Sequence, residues 1–353
     1  LKLHRYLLLL LGIGLLQWNC EQNTELEDCF GIKGGSSYED NCGTCDDDST
    51  NDCVQDCSGQ WGGENICGCK DFNAFNYNSD ATIDDGSCIL PVEFIYNIHE
   101  SLPSDWITEF YVVMDNLQAI IPSYENIFDN ISIYAWNDNV EDPYPNINGG
   151  AYVGGPPDEK IMVLEIPENE FIYEAMHRFS VIAHEYFHVY QLSINQPMNE
   201  PNGGYNPNTF SIKWLIEGAA TTFESIYIQN NYDYNYFLNE LSHTSISDLI
   251  HENPSIFENY NSNNIDINYV SSTFMTLVLA RELMALGHSE EYAFKMIFKD
   301  FMLTGAKNSD WQIFFLDTFG FSVDDFYDVL QSYTLNLENV MPSSSLSLQQ
   351  IFD

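Results

Sequence analysis

The sequence predicts an α+β protein: a small mixed sheet followed by a mainly helical half, with a small disulfide-rich module before both. Apart from Cys20, every cysteine lies between Cys29 and Cys88. Short apolar and β-branched runs begin after residue 91, and stretches with helical periodicity extend from Pro167 almost to the end. With 353 residues, 44% of them hydrophobic, the chain is long enough to bury a substantial core.

Residues 1–20, LKLHRYLLLLLGIGLLQWNC, have the pattern of a signal peptide. A basic start precedes an apolar run at 7–16 that is too short to span a bilayer. Cys20 follows as the acylated cysteine of a bacterial lipoprotein does, although the preceding QWN lacks the small residues usual there. We expect an extracellular or cell-surface protein. Two fates stay open for Cys20: lipidation, which would anchor the chain in an outer membrane, or a free or intermolecular thiol.

Residues 21–90 form a predicted spacer with an internal repeat. DCFGIKGG at 28–35 and DCSGQWGG at 56–63 share the pattern D-C-x-G-x-x-G-G, and a Cys-Gly cluster follows each. Because so small a segment has few large apolar residues, it needs cross-links, and its eight cysteines allow four disulfides. The cysteines are Cys29, Cys42, Cys45, Cys53, Cys57, Cys67, Cys69 and Cys88.

Metal binding is the alternative for this segment. The CxxC and CxC pairs could bind zinc, and the acidic runs Asp46–Asp48 and Asp84–Asp85 are candidate Ca²⁺ ligands. The stretch GCKDFNAFNYNSDATIDDGSC at 68–88 resembles Cys- and Asp-rich modules that serve as spacers in secreted and surface proteins of marine bacteria. That resemblance implies a location and no activity.

The charge excludes one class of partner. The chain has 11 Lys and Arg against 53 Asp and Glu, a formal net charge of −42. Such a field repels phosphate backbones, so we expect no nucleic-acid partner. We expect this charge to serve solubility in a salty or extracellular medium, where counterions screen the repulsion. A polycationic substrate is the alternative.

The main domain is predicted at 91–340, with a C-terminal tail at 341–353. Apolar and β-branched runs predict strands at 92–98, 131–137, 149–155 and 160–166, and a helix at 104–120. After Pro167 the helical pattern dominates.

Residues 184–188 read HEYFH, and H-E-x-x-H on a helix is the signature of a zinc hydrolase. Apolar residues from Ile172 to Tyr190 recur at i, i+3, i+4 and i+7, which predicts one buried helical stripe that includes Tyr186 and Phe187. The two histidines, one turn apart, would project together from a neighbouring face. This spacing suits two metal ligands, with the glutamate between them able to reach a bound water.

The third ligand decides the class. A metzincin would need Gly at 191 and His or Asp at 194, and Gln191 and Ile194 exclude that class. A second predicted helix carries WLIEGAATTFE at 214–224, after an irregular loop at 195–209. HExxH followed by W-x-x-E-G-x-A resembles the gluzincin metallopeptidases. The resemblance spans about residues 92–335 and is strongest in these two motifs.

The resemblance implies a gluzincin-type catalytic domain with one Zn²⁺ per chain. His184, His188 and Glu217 would be the ligands, and Glu185 the general base that takes a proton from the zinc-activated water. Tyr269 is the candidate donor to the oxyanion. Thr221 or Glu224 would orient the histidines. The small residues Gly218, Ala219 and Ala220 would let the Glu217 helix approach the histidine helix.

The expected substrate class depends on one difference between this sequence and the related aminopeptidases. GGAYVGG at 149–155 stands where related aminopeptidases carry an acid that holds a free amine, and it contains none. We expect an edge strand that pairs with an extended protein or peptide substrate, which favours an endopeptidase. Two alternatives stay open: a surface binding or adhesion module that has lost turnover, and a zinc hydrolase of a non-peptide bond. His177 is expected on the surface, and a place in the wall of the cleft is the alternative. Trp214 and Phe223 are expected in the core, and contact with the substrate is the alternative.

Overall fold

A computed structural model describes residues 26–353 apart from 125–127, 142, 195–209 and 261–264. The predicted signal peptide with Cys20, and the predicted loop at 195–209, lie outside the described residues. The chain forms two compact units. One contains the described residues up to Gly68 together with Asn78–Gly86, and the other contains Cys69–Tyr77 and Ser87–Asp353. Within the described ranges, no helix has the length and apolar character needed to cross a membrane.

Two pairs of very short strands organise the smaller unit. Strand β1 (Tyr38–Glu39) pairs antiparallel with β2 (Cys45–Asp46), and β3 (Cys67–Gly68) pairs parallel with β4 (Ile83–Asp84). Its disulfides are Cys29–Cys45, Cys42–Cys53 and Cys57–Cys67, and the larger unit adds Cys69–Cys88. The four predicted disulfides are confirmed. The alternative of zinc on the CxxC and CxC pairs is wrong, because all eight sulfurs are paired.

The repeated sequence pattern folds as the same turn twice. Asp28 Oδ1 accepts hydrogen bonds from the backbone N–H groups two and four residues on, and Asp56 Oδ1 does the same. The glycine three residues after each aspartate has φ of +81° and +85°, a conformation that other residues rarely adopt. The spacing of aspartate and glycine that the two repeats share is therefore a requirement of turn geometry.

A four-stranded mixed sheet opens the larger unit. Its strands are β5 (Glu93–Ile98), β6 (Asn130–Asn137), β7 (Ala151–Gly154) and β8 (Ile161–Ile166), in the order β5-β6-β8-β7. The first two pairings are parallel, and β7 runs antiparallel to β8 at the edge. Helix α1 (Ser104–Ile120) connects β5 to β6 and buries Trp106, Phe110, Val113, Met114 and Leu117. The predicted strands and helix therefore form, with small differences in their bounds.

The histidine helix begins later than the apolar pattern predicts. The chain first forms α2 (Glu168–Ile172), breaks at Glu174 with φ of +52°, and starts α3 (His177–Ile194) only after this turn. Ile172 is 66% exposed, so it is not part of the buried stripe. The predicted single stripe from Ile172 is wrong at its start, because a left-handed residue redirects the chain where a continuous helix was expected.

The helical half continues with a long central pair, α4 (Lys213–Tyr232) and α7 (Ile265–Ala285). Short helices α5 (Tyr236–Asn239) and α6 (Leu249–Glu252) lie between them in the chain. The remaining elements are α8 (Glu290–Lys295), α9 (Phe301–Leu303), α10 (Trp311–Phe319), α11 (Val323–Leu330) and α12 (Leu348–Phe352). A mixed α/β unit with a mainly helical C-terminal half confirms the predicted fold class at this level. The predicted tail 341–353 contains α12, whose Leu348 and Ile351 are buried.

Aromatic packing fixes α3 against α4. Phe187 stacks on Phe223 with ring centroids 4.5 Å apart, and both side chains are fully buried. Tyr186 is buried on the sheet side of α3 and donates its hydroxyl hydrogen to the Ile121 carbonyl at 3.0 Å. Trp214 is buried and stacks on Phe326. The core positions predicted for Tyr186, Phe187, Trp214 and Phe223 are confirmed, and they hold the two helices that carry the motif residues.

Candidate functional site

Three donor atoms from α3 and α4 converge at one point. His184 Nε2 and His188 Nε2 lie 3.1 Å apart. Glu217 Oε2 lies 3.2 Å from His188 Nε2 and 3.6 Å from His184 Nε2. Among the described residues, this is the group of histidine, cysteine or acidic side chains that is arranged to hold a metal ion.

The spacing of the three donors fits a tetrahedral cation. Bonds of about 2.0–2.1 Å at tetrahedral angles place neighbouring ligand atoms about 3.3 Å apart. The observed separations of 3.1, 3.2 and 3.6 Å lie on both sides of that value. Two imidazoles and one carboxylate form a donor set that suits zinc. His184, His188 and Glu217 could therefore hold a metal ion.

Each histidine has an acceptor at its other ring nitrogen. His188 Nδ1 lies 2.8 Å from Gln191 Oε1, and Gln191 Nε2 donates to the Ile216 carbonyl on α4 at 3.2 Å. His184 Nδ1 lies 3.5 Å from Glu224 Oε2. An acceptor at Nδ1 keeps that nitrogen protonated and leaves the Nε2 lone pair for a metal.

Gln191 contacts a candidate ligand, and the sequence analysis did not predict this contact. Its identity there served to exclude a metzincin, yet it lies one turn after His188 on the same helix face, and this i+3 spacing is the signal in the sequence. Of the two predicted orienting residues, the structure brings Glu224 to His184. Thr221 Oγ1 is buried and has no hydrogen-bond partner among the described residues.

The carboxylates give the site a strongly negative field. Burial opposes protonation of His184, but Glu224 and Glu217 raise the pKa of this imidazole well above its ordinary value. Burial alone would raise the pKa of Glu217, whereas the two histidines hold it well below its usual range. Glu217 Oε1 also contacts Lys213 Nζ at 3.2 Å. The group therefore attracts positive charge, and Glu217 stays ionised with one oxygen directed at the histidines.

Glu185 lies beside the cluster without joining it. Its side chain is buried, and its Oε2 has no hydrogen-bond partner among the described residues. Burial raises the pKa of this carboxyl group, an effect that the two neighbouring histidines partly offset. A buried carboxylate oxygen without a partner is costly in a folded protein, which indicates that the position serves a ligand or a reacting group.

Gly218 serves a different contact from the one predicted. A Cβ at this position would overlap the Ser272 carbonyl oxygen and Thr276 Oγ1, both on α7. The glycine therefore lets α4 approach α7, not the histidine helix. The physical reason is helical phase, since Gly218 is one residue on from Glu217 and points about 100° away from it. Ala219 and Ala220 are fully buried.

Tyr269, on α7, lies beside His184, His188 and Glu217, which we call the metal group. Its ring packs edge-on against the His184 ring, with centroids 5.7 Å apart. Burial and the neighbouring Glu217 raise the pKa of the Tyr269 phenol, so its O–H stays available as a donor at neutral pH.

A cleft gives access to the group. It has a volume of about 370 Å³ and is lined by Glu185, His188, Glu217 and Tyr269, with Ala151, Tyr152 and Val153 of strand β7 along one wall. Strand β7 is the predicted GGAYVGG strand and lies at the edge of the sheet, as expected. Three of its residues therefore line the same cleft as the donor group.

The remaining predicted residues are not part of the metal-holding group. His177 is half-exposed, as expected, and pairs with Glu170 at 2.7 Å. The candidate calcium ligands Asp46 and Asp48 accept hydrogen bonds within local turns. No metal-holding group is found among the described residues of the small unit.

Comparison with known proteins adds no relative: neither a protein-family model nor a curated protein matches the chain. The interpretation of the site therefore rests on its own geometry.

Proposed function

We propose that the chain is a zinc-dependent peptidase of the gluzincin type, most consistent with an endopeptidase. One observation carries the proposal: two histidines of α3 and a glutamate of α4 converge at the spacing of a tetrahedral ion, and the buried Glu185 beside them has an Oε2 without a hydrogen-bond partner among the described residues. A purely structural ion pair would not need that fourth residue. The order of the motif residues in the chain supports the gluzincin assignment.

The chain's own residues divide the chemistry among them. His184, His188 and Glu217 would hold the zinc, which when bound activates a water molecule and polarises a carbonyl group. Glu185 accepts the proton of the attacking water and passes it to the leaving amine. The Tyr269 hydroxyl group donates a hydrogen bond to the developing oxyanion. Gln191 and Glu224 hold the two imidazoles in the orientation that this arrangement needs.

The edge strand supports a polypeptide substrate. Strand β7 is paired on one side by β8, and no strand covers its other side among the described residues. An extended substrate backbone can add to such an edge, which gives affinity that does not depend on the substrate's sequence. Because β7 lines the cleft next to Glu185, a chain bound there would run past the catalytic residues.

The disulfides bear on location. Four disulfides indicate an oxidising environment, as outside the cell or in a periplasm. We therefore propose a secreted or surface-anchored peptidase. Fractionation of the native cells tests this, since a cytoplasmic protein with reduced thiols would contradict it.

The activity is tested with zinc-loaded protein and an unfolded, unlabelled protein substrate. We expect cleavage at internal bonds, loss of cleavage with a zinc chelator, and recovery when zinc is restored. If the protein binds one zinc but cleaves neither the protein nor a mixed peptide library, a binding or adhesion module is favoured instead. Cleavage of esters or amides but not peptides would favour a non-peptide hydrolase.

A further inference from the structure

A second cavity adjoins the cleft at the catalytic residues. Its volume is about 290 Å³, and it shares Ala151, Glu185 and Tyr269 with the first cavity as lining residues. A substrate that runs along β7 past Glu185 would therefore reach both cavities close to the bond that is cleaved. The lining of the two cavities differs in charge.

The second cavity is acidic. Besides Glu185, three carboxylates outside the metal-holding group line it: Glu224 is buried, Glu240 is half-buried, and Asp266 is exposed. No lysine or arginine occurs among the described residues that line it. Its basic side chains are His184, a metal ligand, and His177, which is paired with Glu170. The first cavity, by contrast, contains Lys213.

The walls between these carboxylates are apolar. Val181, Leu241 and Val270 line the cavity together with Tyr236. Burial and the negative charges of Glu224 and Glu240 raise the pKa of the Tyr236 phenol. An apolar channel with carboxylates along it suits a side chain that has an aliphatic stem and a cationic end.

A separate observation indicates that a ligand enters this cavity. Thr221 lines it, is 2% exposed, and has its Oγ1 buried without a partner among the described residues. Polar atoms buried at this depth are nearly always hydrogen-bonded in native proteins. A polar group of a bound ligand would supply the partner that the described protein residues do not.

We propose that this second cavity is a specificity pocket that accepts the basic side chain, lysine or arginine, of a residue flanking the scissile bond. The inference rests on the proposed peptidase function and adds a substrate preference to it. The carboxylates of Glu240 and Asp266 attract the positive charge of that side chain. Glu224 contributes less to the preference because it also faces His184.

A free substrate amine is the other cation that such a pocket could bind. The apolar walls favour a side chain, because an N-terminal amine has no aliphatic stem to bury against Val181, Leu241 and Val270. Peptides with acetylated N-termini distinguish the two: a basic side chain is recognised in a blocked peptide, whereas an amine is not.

The experiment profiles cleavage of an N-acetylated peptide library by the zinc-loaded protein. We expect lysine and arginine to be enriched at one position next to the cleaved bond. In matched peptides, lysine at that position should raise kcat/KM about tenfold over norleucine, which has a similar stem and no charge. A profile with no basic preference, or a requirement for a free N-terminus, would overturn the proposal.

Two variants locate the preference in this cavity. Glu240→Gln keeps an oxygen that can accept the Tyr234 hydroxyl hydrogen bond, which is 2.6 Å long in the parent, and removes only the charge. Asp266→Asn removes the negative charge of the exposed lining residue. We expect each to reduce the lysine-to-norleucine ratio about threefold. The control Asp317→Asn removes the same charge from an exposed site on α10 and should leave the ratio unchanged. An equal change in all three variants would attribute the effect to net charge and overturn the proposal.

A binding measurement separates this inference from the proposed function. Zinc-loaded Glu185→Gln protein should bind the lysine peptide about tenfold more tightly than the norleucine peptide, with the difference reduced by Glu240→Gln. If the parent cleaves nothing while this preference persists, the peptidase proposal fails and the pocket stands. If the parent cleaves peptides but neither assay shows the preference, the pocket fails and the peptidase stands.

Discussion

His188 Nδ1 and Gln191 Oε1 lie 2.8 Å apart on the same face of α3, and Gln191 also bonds to the Ile216 carbonyl of α4. One amide side chain thus orients a candidate ligand and ties its helix to the helix that carries the third. The three candidate ligands therefore converge only while α3 and α4 keep their relative position.

Replacing Gln191 tests that relationship. Gln191→Leu removes the acceptor at similar volume and should weaken zinc affinity about 10–100-fold, as loss of a partner behind a ligand does. Gln191→Glu retains an acceptor for His188 Nδ1, so its zinc affinity should fall far less than that of Gln191→Leu. Competition with a chromophoric chelator measures both. Equal affinities for the parent and Gln191→Leu would show that the amide does not support the site.

Glu217→Gln should cost more zinc affinity than either Gln191 variant, because it replaces a ligand itself. We expect a loss above about 100-fold, with the far-ultraviolet spectrum unchanged. Glu258→Gln is the matched control, since Glu258 is a half-buried carboxylate that accepts a bond from Tyr327 outside the site. If the two variants bind zinc alike, Glu217 is not a ligand.

Gly218→Ala should destabilise the fold by about 1–3 kcal/mol, the usual cost of overpacking a closed core. The added methyl group would overlap the Ser272 carbonyl oxygen and Thr276 Oγ1 of α7. Adding Thr276→Ala should not restore stability, because the backbone carbonyl remains. Urea unfolding measures each variant, and an unchanged midpoint for Gly218→Ala would show that α4 and α7 are less closely packed than described.

The His177–Glu170 pair should stabilise the protein more at low pH. Partial burial disfavours the charged imidazole, but the Glu170 carboxylate outweighs this and raises the pKa of His177. A histidine pKa that is raised on folding contributes stability below its unfolded value of about 6.5, and this contribution is lost as pH rises through the folded pKa. Because the imidazole is 51% exposed, we expect only about 0.2–1 kcal/mol.

The corresponding measurement compares urea unfolding of the parent and Glu170→Gln at about pH 6 and pH 9. The difference should be larger at the lower pH. Glu174→Gln, at an exposed position of the same turn, is the control and should show no such pH dependence. A difference that grows with pH would contradict the assignment.

Local sequence patterns predicted most of the sheet and which three residues could hold a metal ion. The strand runs are bounded by turn residues, and HEYFH with WLIEG fixes which side chains can meet. Three features depended on information that those patterns lack. The helix breaks at Glu174 because this residue adopts a left-handed backbone conformation, for which glutamate has no strong preference. The partners of Gly218 depend on the phase of α4 against α7.

The third feature is the disulfide connectivity, which eight cysteines leave open because many pairings satisfy the same count. The structure selects four pairs separated by 10 to 19 residues in sequence. The pairs Cys29–Cys45 and Cys42–Cys53 interleave in sequence, so these two cross-links close overlapping loops.

Glu185→Gln tests the central claim most directly. The substitution keeps the size of a buried side chain that lies beside the metal group without joining it, and it removes only the ability to accept and transfer a proton. We expect one zinc per chain, as in the parent, and a fall in kcat of about 10²–10⁴-fold on an unfolded protein substrate. A Glu185→Gln protein that retains its zinc and cleaves as fast as the parent would contradict the account.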